Sequence, residues 1–230
     1  MKSILCVENV TKKFGGVAAV NKCSFDVTQG TITALIGPNG AGKTTLFNII
    51  SGIQPLDEGR MVFQSEDITG SATHEIARKG ISRTFQLTRL FKNLTIKQNL
   101  LVAKEVSDVV LKKMLVSFGV KKSLSTKCTD LSYGQQRLVE LARALLFPHS
   151  FLMLDEPTAG VNPFVREQLK KIIRCAAKNG TTVLLIEHDM DFVMSLSDHV
   201  IVLNEGCVLA QGTPAVIKKN RRVLEVYLGK

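Results

Sequence analysis

Short runs of apolar residues alternate along the chain with stretches in which apolar residues recur every three or four positions. Several of the short runs are apolar on both faces, which is typical of buried parallel strands in an α/β protein. The predicted strands of this kind are Thr31 to Ile36, Phe151 to Leu154, Thr182 to Ile186 and Val200 to Leu203. The pattern therefore predicts an α/β fold with a mostly parallel core sheet.

The first part of the chain carries shorter strand patterns. They cover Ile4 to Val10, Cys23 to Val27 and Arg60 to Gln64, with turns at Gly15-Gly16 and Asp57-Glu58-Gly59. Glycine-rich and acidic turns between short strands are typical of hairpins. We therefore predict an antiparallel β subsheet beside the core sheet.

Helical periodicity dominates the middle of the chain. Between Ser132 and Phe147 the apolar residues are spaced 3, 1, 3 and 1 positions apart, which predicts an amphipathic helix that ends before Pro148. Lysine-rich helical patterns from Leu87 to Asp130 indicate a helical insertion, so a helical subdomain of about residues 87–147 lies within a single domain, 1–230. A short helix is also predicted from Thr213-Pro214, and four of the five residues 218–222, which lie at its end, are basic.

The composition, with 45% hydrophobic and 22% charged residues, is that of an ordinary globular chain. No uninterrupted apolar run exceeds four residues, whereas a membrane-spanning helix needs about 20. The apolar stretch at the N-terminus is too short for a secretory signal, so we expect a cytosolic protein. The five scattered cysteines form no C-x-x-C pair, and neither a disulfide framework nor a zinc site is indicated.

The formal net charge is +10, from 30 Lys and Arg against 20 Asp and Glu. An excess of this size fits an anionic partner, which could be a nucleotide, a nucleic acid or the acidic face of a membrane. Charge alone does not choose among the three.

The strongest local motif is GPNGAGKTT, which satisfies G-x-x-x-x-G-K-[ST] between a predicted strand and a predicted helix. Such a loop turns its backbone N–H groups toward phosphate oxygens, Lys43 reaches the β- and γ-phosphates, and the Thr44 hydroxyl binds Mg²⁺. The candidate ATP-binding residues of this phosphate loop are Gly37, Pro38, Asn39, Gly40, Ala41, Gly42, Lys43, Thr44 and Thr45.

Two further strand ends carry residues suited to phosphate chemistry. Asp155 and Glu156 follow the apolar run FLML, so Asp155 can join the magnesium shell and Glu156 can polarise an attacking water. His188 ends the run VLLIEH, and the carboxyl ends of parallel strands meet at one sheet edge. We therefore predict Glu156 and His188 as catalytic residues and ATP with Mg²⁺ as the ligands.

The predicted helix of residues 132–147 opens with LSYGQQ. Ser132 and Gln135 have the S-x-x-Q spacing of a capping box, which is a complete structural explanation for both. A glycine in the first helical turn, Gly134, lowers helix propensity unless some group must approach the backbone closely. Because a helix N-terminus binds anions, a phosphate is a candidate for that group.

The motifs GPNGAGKTT, RTFQ, LSYGQQ, FLMLDE and IEHD, in this order, resemble those of the ATP-binding subunits of ABC transporters over essentially the whole chain. The resemblance implies an ABC ATPase of the P-loop NTPase fold, with an antiparallel β subsheet and a helical subdomain. It implies that each ATP lies between the phosphate loop of one subunit and the signature residues Ser132, Tyr133, Gly134 and Gln135 of a second. Tyr133 departs from the family, which usually has glycine there.

The resemblance also implies roles for two residues. Phe14 matches the aromatic side chain that stacks on adenine, and the alternative for this residue is core packing beside a Gly-Gly turn. Gln86 would bind Mg²⁺ and sense the γ-phosphate, and the stretch from Leu87 to Phe91 would face membrane subunits.

Within the family, the segments ISRTFQLTRLFKNLTIKQNLLVA and EPTAGVNP and the terminal VYLGK resemble subunits that energise branched-chain amino acid uptake. This implies a second ATP-binding subunit, identical or a sister chain, two transmembrane permease subunits and indirectly a substrate-binding protein, at the cytoplasmic side of the plasma membrane. Only 44 residues separate Gln86 from Leu131, fewer than expected for that subfamily.

Two alternatives remain open at this point. The first is an ABC ATPase for another cargo, such as urea, a lipid or lipopolysaccharide, since nothing in this chain contacts the cargo. The second is a soluble ATPase of the same fold that acts on nucleic acid or ribosomes. The second is disfavoured because such relatives join two of these domains or carry long coiled-coil arms.

Overall fold

The computed structural model describes residues 2–228. The strands are β1 (Ser3–Phe14), β2 (Val17–Thr28), β3 (Ile32–Ile36), β4 (Glu58–Phe63), β5 (Glu66–Asp67), β6 (Ile81–Arg83), β7 (Phe151–Asp155), β8 (Thr182–Ile186), β9 (His199–Asn204) and β10 (Cys207–Gly212). The helices are α1 (Lys43–Ile50), α2 (Thr73–Arg78), α3 (Ile96–Leu101), α4 (Asp108–Ser117), α5 (Tyr133–Leu146), α6 (Pro163–Lys178), α7 (Met190–Leu196), α8 (Pro214–Lys218) and α9 (Arg221–Leu228).

The core sheet has six strands in the order β10-β9-β3-β8-β7-β6. The pairs from β9 to β6 are parallel, and only β10 runs antiparallel to its neighbour β9. Every residue of β3, β7 and β8 is buried, as predicted from their two apolar faces. The carboxyl ends of these three strands therefore lie at one edge of the sheet, where ligands bind in such folds.

A second sheet of four strands, β2-β1-β4-β5, is antiparallel as predicted. The predicted turn at Gly15-Gly16 joins β1 to β2. The predicted turn at residues 57–59 is shorter than expected, because β4 already begins at Glu58. Asp57 fixes the start of β4 to β1, since its carboxylate accepts hydrogen bonds from Lys12 Nζ at 2.6 Å and from the Lys13 N–H at 2.7 Å.

The core sheet separates two hydrophobic clusters. One cluster joins alternate residues of the sheet to helices α3–α9, and the other joins the remaining sheet residues to α1, α2 and the antiparallel sheet. The helical segment therefore shares one hydrophobic cluster with the core sheet. Its helices begin at Ile96 rather than near Leu87, since residues 84–95 form an irregular loop. Among residues 2–228, no helix is both long and apolar enough to span a membrane.

The helix ends follow the local sequence signals. Both hydrogen bonds of the predicted capping box are present at the start of α5, from the Gln135 N–H to Ser132 Oγ and from the Ser132 N–H to Gln135 Oε1. The predicted C-terminal helix is α8, but a further helix that the sequence reasoning missed follows it. Lys218 ends α8, whereas Arg221 begins α9, so only part of the basic run lies at a helix C-terminus. In the terminal VYLGK, residues 229–230 lie outside the described residues.

Candidate nucleotide site

The phosphate loop, residues 37–45, connects β3 to α1 as predicted. Two of its glycines have no room for a side chain. A β-carbon at Gly37 would lie 2.2 Å from the Leu203 carbonyl oxygen, and one at Gly42 would lie 2.2 Å from the Ala19 carbonyl oxygen. Both residues also have positive φ angles, 152° and 95°. The loop conformation therefore depends on glycine at these two positions.

Lys43 begins α1 and is 6% exposed. Its Nζ donates hydrogen bonds to the carbonyl oxygens of Gly37 and Pro38, at 2.7 and 2.8 Å. Burial lowers the pKa of the Lys43 ammonium, and the nearby Glu156 carboxylate acts in the opposite direction. The ammonium is thus held inside the loop by two of the loop's own carbonyl oxygens.

Glu156 and His188 line the same cleft as the phosphate loop. The cleft has a volume of about 220 Å³ and is bordered by Ala19, by residues 39–45 and by these two side chains. Gln86, Asp155, Phe14 and the residues 132–135 are not among those that line it. The predicted catalytic pair therefore meets the predicted phosphate-binding residues directly.

The Glu156 carboxylate lies at the centre of a small polar cluster. Its Oε2 accepts a hydrogen bond from Gln86 Nε2 at 2.8 Å, and its Oε1 lies 2.9 Å from His188 Nε2. The Glu156 backbone has a φ of 47°, a left-handed conformation that is uncommon for a residue with a side chain. Such conformations are retained where the surroundings fix them, often at functional sites.

Glu187, which sequence reasoning did not select, fixes the turn that follows Glu156. Its buried carboxylate accepts hydrogen bonds from the Thr158 N–H at 2.8 Å and from Thr158 Oγ1 at 2.6 Å. The same carboxylate accepts a bond from the His188 N–H at 3.0 Å. Glu187 thereby joins the turn after β7 to the turn after β8 and sets the separation of Glu156 from His188.

Sequence reasoning also did not select Arg137, which lies on α5. Its guanidinium donates to the carbonyl oxygens of Phe85 (2.7 Å), Gln86 and Glu156 (3.4 Å), and it pairs with Glu140 at 3.2 Å. Both members of the pair are buried, and burial raises the pKa of the Glu140 carboxyl above its usual range. Arg137 therefore holds the backbone of Gln86 and of Glu156 to a single helix.

Two further contacts extend this attachment of the loop at residues 84–95 to α5. Glu140 Oε1 accepts a hydrogen bond from the Arg89 N–H at 2.7 Å, and Arg143 donates to the Arg89 carbonyl oxygen at 2.6 Å. Arg137, Glu140 and Arg143 lie three residues apart on α5, so they share one face of the helix. The loop that carries Gln86 is consequently fixed by three buried or half-buried side chains rather than by secondary structure of its own.

Asp155, the last residue of β7, is buried beside Glu156. Its Oδ2 accepts a hydrogen bond from Arg83 at 2.8 Å. The described residues contain no cluster of three or more His, Cys, Asp or Glu side chains arranged to hold a metal ion.

The residues of LSYGQQ lie at the N-terminus of α5, outside the cleft. A β-carbon at Gly134 would lie 2.8 Å from Val165 Cγ2, so packing against α6 is a sufficient reason for glycine there. The expectation that an approaching phosphate requires this glycine is therefore not needed to explain it. Tyr133 is 39% exposed, and its ring lies near Arg137.

Phe14 ends β1 and is 47% exposed, which excludes the alternative that it is a core residue. The Lys12 ammonium lies 5.6 Å from the centre of its ring. An exposed aromatic ring with a cation beside it is available for stacking.

A family profile described as "ABC transporter" matches residues 20–159. The chain belongs to the ABC transporter family. A second profile, described as "Branched-chain amino acid ATP-binding cassette transporter", matches residues 207–230. As an ATP-binding cassette, the chain is an ATP-hydrolysing transporter subunit, and its ABC ATPase fold is confirmed.

Relatives resemble this cassette over its full length. The high-affinity branched-chain amino acid transport ATP-binding protein BraF of Pseudomonas aeruginosa is 40% identical over 252 aligned positions, covering 100% of this chain and 99% of that protein. The protein LivG of Escherichia coli, described in the same terms, is 37% identical and covers 99% of this chain and 98% of its own.

Solved structures agree with the fold of the cassette. The ADP conformation of MJ1267, an ATP-binding cassette of an ABC transporter, has a TM-score of 0.90 and 33% identity, with 100% of both chains covered. A nucleotide-free ATP-binding cassette has a TM-score of 0.89 and 32% identity, again with full coverage of both chains.

Proposed function

We propose that the cleft binds Mg-ATP and that Glu156 activates the water that attacks the γ-phosphate. The observation that carries this proposal is the meeting of the phosphate loop, Glu156 and His188 in one cleft. Gln86 bonds one oxygen of Glu156 and His188 the other, so both side chains orient the carboxylate. His188 lies where an imidazole can also bond the γ-phosphate or the water.

The oxygens of Thr44, Asp155 and Gln86 form the proposed magnesium set. The Thr44 hydroxyl, Asp155 Oδ1 and Gln86 Oε1 accept no hydrogen bond from the residues that the structure describes, so all three are free to accept a cation. Mg²⁺ prefers such oxygen ligands and keeps waters and phosphate oxygens in the rest of its shell. When bound, it neutralises charge on the β- and γ-phosphates.

The adenine ring is proposed to stack on Phe14, whose ring is half exposed. The phosphates lie against the N–H groups of residues 39–45 and the N-terminus of α1, where positive potential favours an anion. Lys43 then exchanges its bonds to the Gly37 and Pro38 carbonyl oxygens for bonds to phosphate oxygens.

A second ATP-binding subunit is proposed to complete the site. Ser132, Tyr133, Gly134 and Gln135 lie at an exposed helix N-terminus, outside the chain's own cleft. Presented by a partner to the γ-phosphate, that terminus and the Ser132 hydroxyl would stabilise the dimer only while the phosphate is present. Hydrolysis therefore releases the interface.

Substitution of Ser132 by arginine is expected to spare ATP binding by the isolated chain and to block ATP-dependent dimerisation, because a long cation would occupy the space of the partner's phosphate. The measurement is size-exclusion chromatography with light scattering in a Glu156→Gln background, with and without Mg-ATP. Ser132→Ala separates the effect of bulk from the loss of the hydroxyl. It removes the helix cap, which contributes about 1 kcal/mol, and the proposed contact of the hydroxyl with the phosphate, so it should weaken the dimer without blocking it. A normal dimer with Ser132→Arg would contradict the shared site.

Replacement of Arg137 by lysine is expected to lower the hydrolysis rate more than it lowers ATP affinity. A lysine keeps the positive charge beside Glu140, but it cannot bond the carbonyl oxygens of Phe85, Gln86 and Glu156 together. Bonds to a charged group contribute about 1.5–3 kcal/mol each, so a loss of about tenfold or more in rate is expected. ATPase assays and equilibrium binding measure the two quantities. An unchanged rate would show that this attachment does not position Gln86 and Glu156.

The proposed cargo is branched-chain amino acids, which enter through two transmembrane permease subunits from a substrate-binding protein. The support is the full-length identity of 37–40% to proteins named for that transport, together with the C-terminal profile of the same name. We place the cassette on the cytoplasmic side of the plasma membrane. Exposed side chains at Leu87 and Phe91, in the loop that carries Gln86, are proposed to face the permeases.

The cargo is tested by uptake of labelled leucine, isoleucine and valine into cells that lack this chain. Uptake should fall in the deletion strain and return with the wild-type chain but not with Glu156→Gln. Unchanged uptake of all three, with loss of urea or lipid transport instead, would identify the alternative cargo. The BraF alignment spans 252 positions against the 230 residues here.

A further inference from the structure

Arg83 lies at the end of β6, and its side chain is buried against Asp155. Its Nη2 donates to Asp155 Oδ2 at 2.8 Å, and the side chains of this ion pair are 7% and 8% exposed. The two residues belong to neighbouring parallel strands, in which Arg83 is paired with Met153. No part of the proposed mechanism uses this arginine.

The same guanidinium also holds the helix that follows the phosphate loop. Its Nη1 donates to Asn48 Oδ1 at 2.8 Å and to Ser51 Oγ at 2.9 Å. The rings of Phe47 and Phe85 lie 5.5 and 4.9 Å from the guanidinium carbon. The arginine is thus fixed relative to α1 before it contacts the carboxylate, and its planar group has little freedom to turn.

The fixed position of the Arg83 guanidinium determines the orientation of the Asp155 carboxylate. One oxygen, Oδ2, is taken by Arg83, and the other, Oδ1, accepts no hydrogen bond within residues 2–228. Carboxylates that bind metals are commonly oriented by such an outer hydrogen bond, and loss of the outer partner typically weakens metal binding about 10- to 100-fold. We propose that Arg83 is a positioning residue that turns Asp155 Oδ1 toward the magnesium ion. The inference rests on the proposed role of Asp155 as a metal ligand.

A purely structural ion pair is the competing explanation. Buried ion pairs are weak evidence for stability, because desolvation of both charges offsets their attraction. A structural pair would affect the folding of the chain without a selective effect on the metal. Metal affinity measured apart from turnover therefore separates the two explanations.

The test is a titration of the chain with Mn²⁺, followed by electron paramagnetic resonance, in the presence of a non-hydrolysable ATP analogue. Arg83→Met removes the charge and keeps much of the volume. We expect it to weaken Mn²⁺ binding about 10- to 100-fold while analogue binding in EDTA is unchanged. Unchanged Mn²⁺ affinity in the folded variant overturns the proposal. If Arg83→Met does not fold, Arg83→Gln replaces it, because glutamine is polar but lacks the charge and the reach of the guanidinium; wild-type Mn²⁺ affinity in that variant likewise overturns the proposal.

Arg89→Met is the matched control. Its guanidinium carbon lies 3.5 Å from the centre of the Phe85 ring, and both arginines border one cavity of about 430 Å³ beside β6. Because no hydrogen bond joins the described Arg89 side chain to Asp155, Mn²⁺ affinity should not change. An equal loss of Mn²⁺ affinity in Arg89→Met would overturn the proposal, since disturbance of the cavity alone would then account for weaker metal binding.

Asp155→Asn distinguishes failure of this inference from failure of the metal assignment. If Asp155→Asn leaves Mn²⁺ affinity intact, Asp155 is not the ligand and both ideas fail. If it abolishes high affinity while Arg83→Met has no effect, only the role of Arg83 fails. In the double variant, Arg83→Met should add no further loss, because it acts through Asp155.

Discussion

Replacement of Glu156 by glutamine is expected to leave ATP binding intact, to lower the hydrolysis rate about 100-fold or more, and to trap a nucleotide-bound dimer. The substitution preserves the shape of the side chain. Its amide oxygen can still accept from Gln86 Nε2, and its amide nitrogen can donate to an unprotonated His188 Nε2. The cluster therefore remains assembled, and the specific loss is the ability to accept a proton from water.

The measurements are the ATPase rate, the equilibrium affinity for Mg-ATP, and the mass in solution with and without Mg-ATP. Glu105→Gln is the matched control, because Glu105 is an exposed carboxylate in the loop after α3. It removes the same charge and should change none of the three quantities. Persistent turnover by Glu156→Gln would remove Glu156 from the role of general base.

Loss of Lys43 is expected to have the largest effect on nucleotide binding itself. In Lys43→Ala the two hydrogen bonds from a buried ammonium to phosphate oxygens cannot form. Bonds to charged groups contribute about 1.5–3 kcal/mol each, so ATP affinity should fall about 100-fold or more. Isothermal titration calorimetry with Mg-ATP measures this directly.

Two controls separate charge from packing in that experiment. Lys43→Met keeps the aliphatic volume, so it should lose affinity as Lys43→Ala does if the ammonium is responsible. Lys112→Ala removes an exposed lysine from α4 and tests the general effect of the net charge of +10, which we expect to be small. Unchanged affinity in both Lys43 variants would contradict the phosphate-loop assignment.

The strands of the core sheet were predictable because β3, β7, β8 and β9 are buried on both faces, and an unbroken apolar run reports that burial locally. The edge strands β6 and β10 were missed because they lack burial on both faces. β6 has only three residues, of which Ile81 alone is apolar and buried, and β10 is half exposed. An edge strand forms because its neighbour offers hydrogen bonds, which a local pattern does not contain.

In the candidate site, too, the residues with a local sequence signal were predicted and those that depend on distant partners were not. Lys43, Glu156 and His188 were found because each follows an apolar run or lies in a glycine-rich motif. Arg83 and Arg137 were not, since their partners are 72 and 52 residues away, at Asp155 and at Phe85. A lone arginine at the end of a short strand or inside a helix gives a weak local signal. Its function depends on which elements the fold brings together.

The contact between Gly134 and Val165 places the start of α5 against the start of α6. The Tyr133 ring likewise lies near Gly160, where a β-carbon would be 3.3 Å from Cε1. In the proposed dimer, the segment that one chain offers to its partner's ATP is therefore packed on the turn that follows its own Glu156. If this packing couples the two sites, binding of one nucleotide should favour binding of the other, and we expect the rate of hydrolysis to rise with ATP concentration with a Hill coefficient above one.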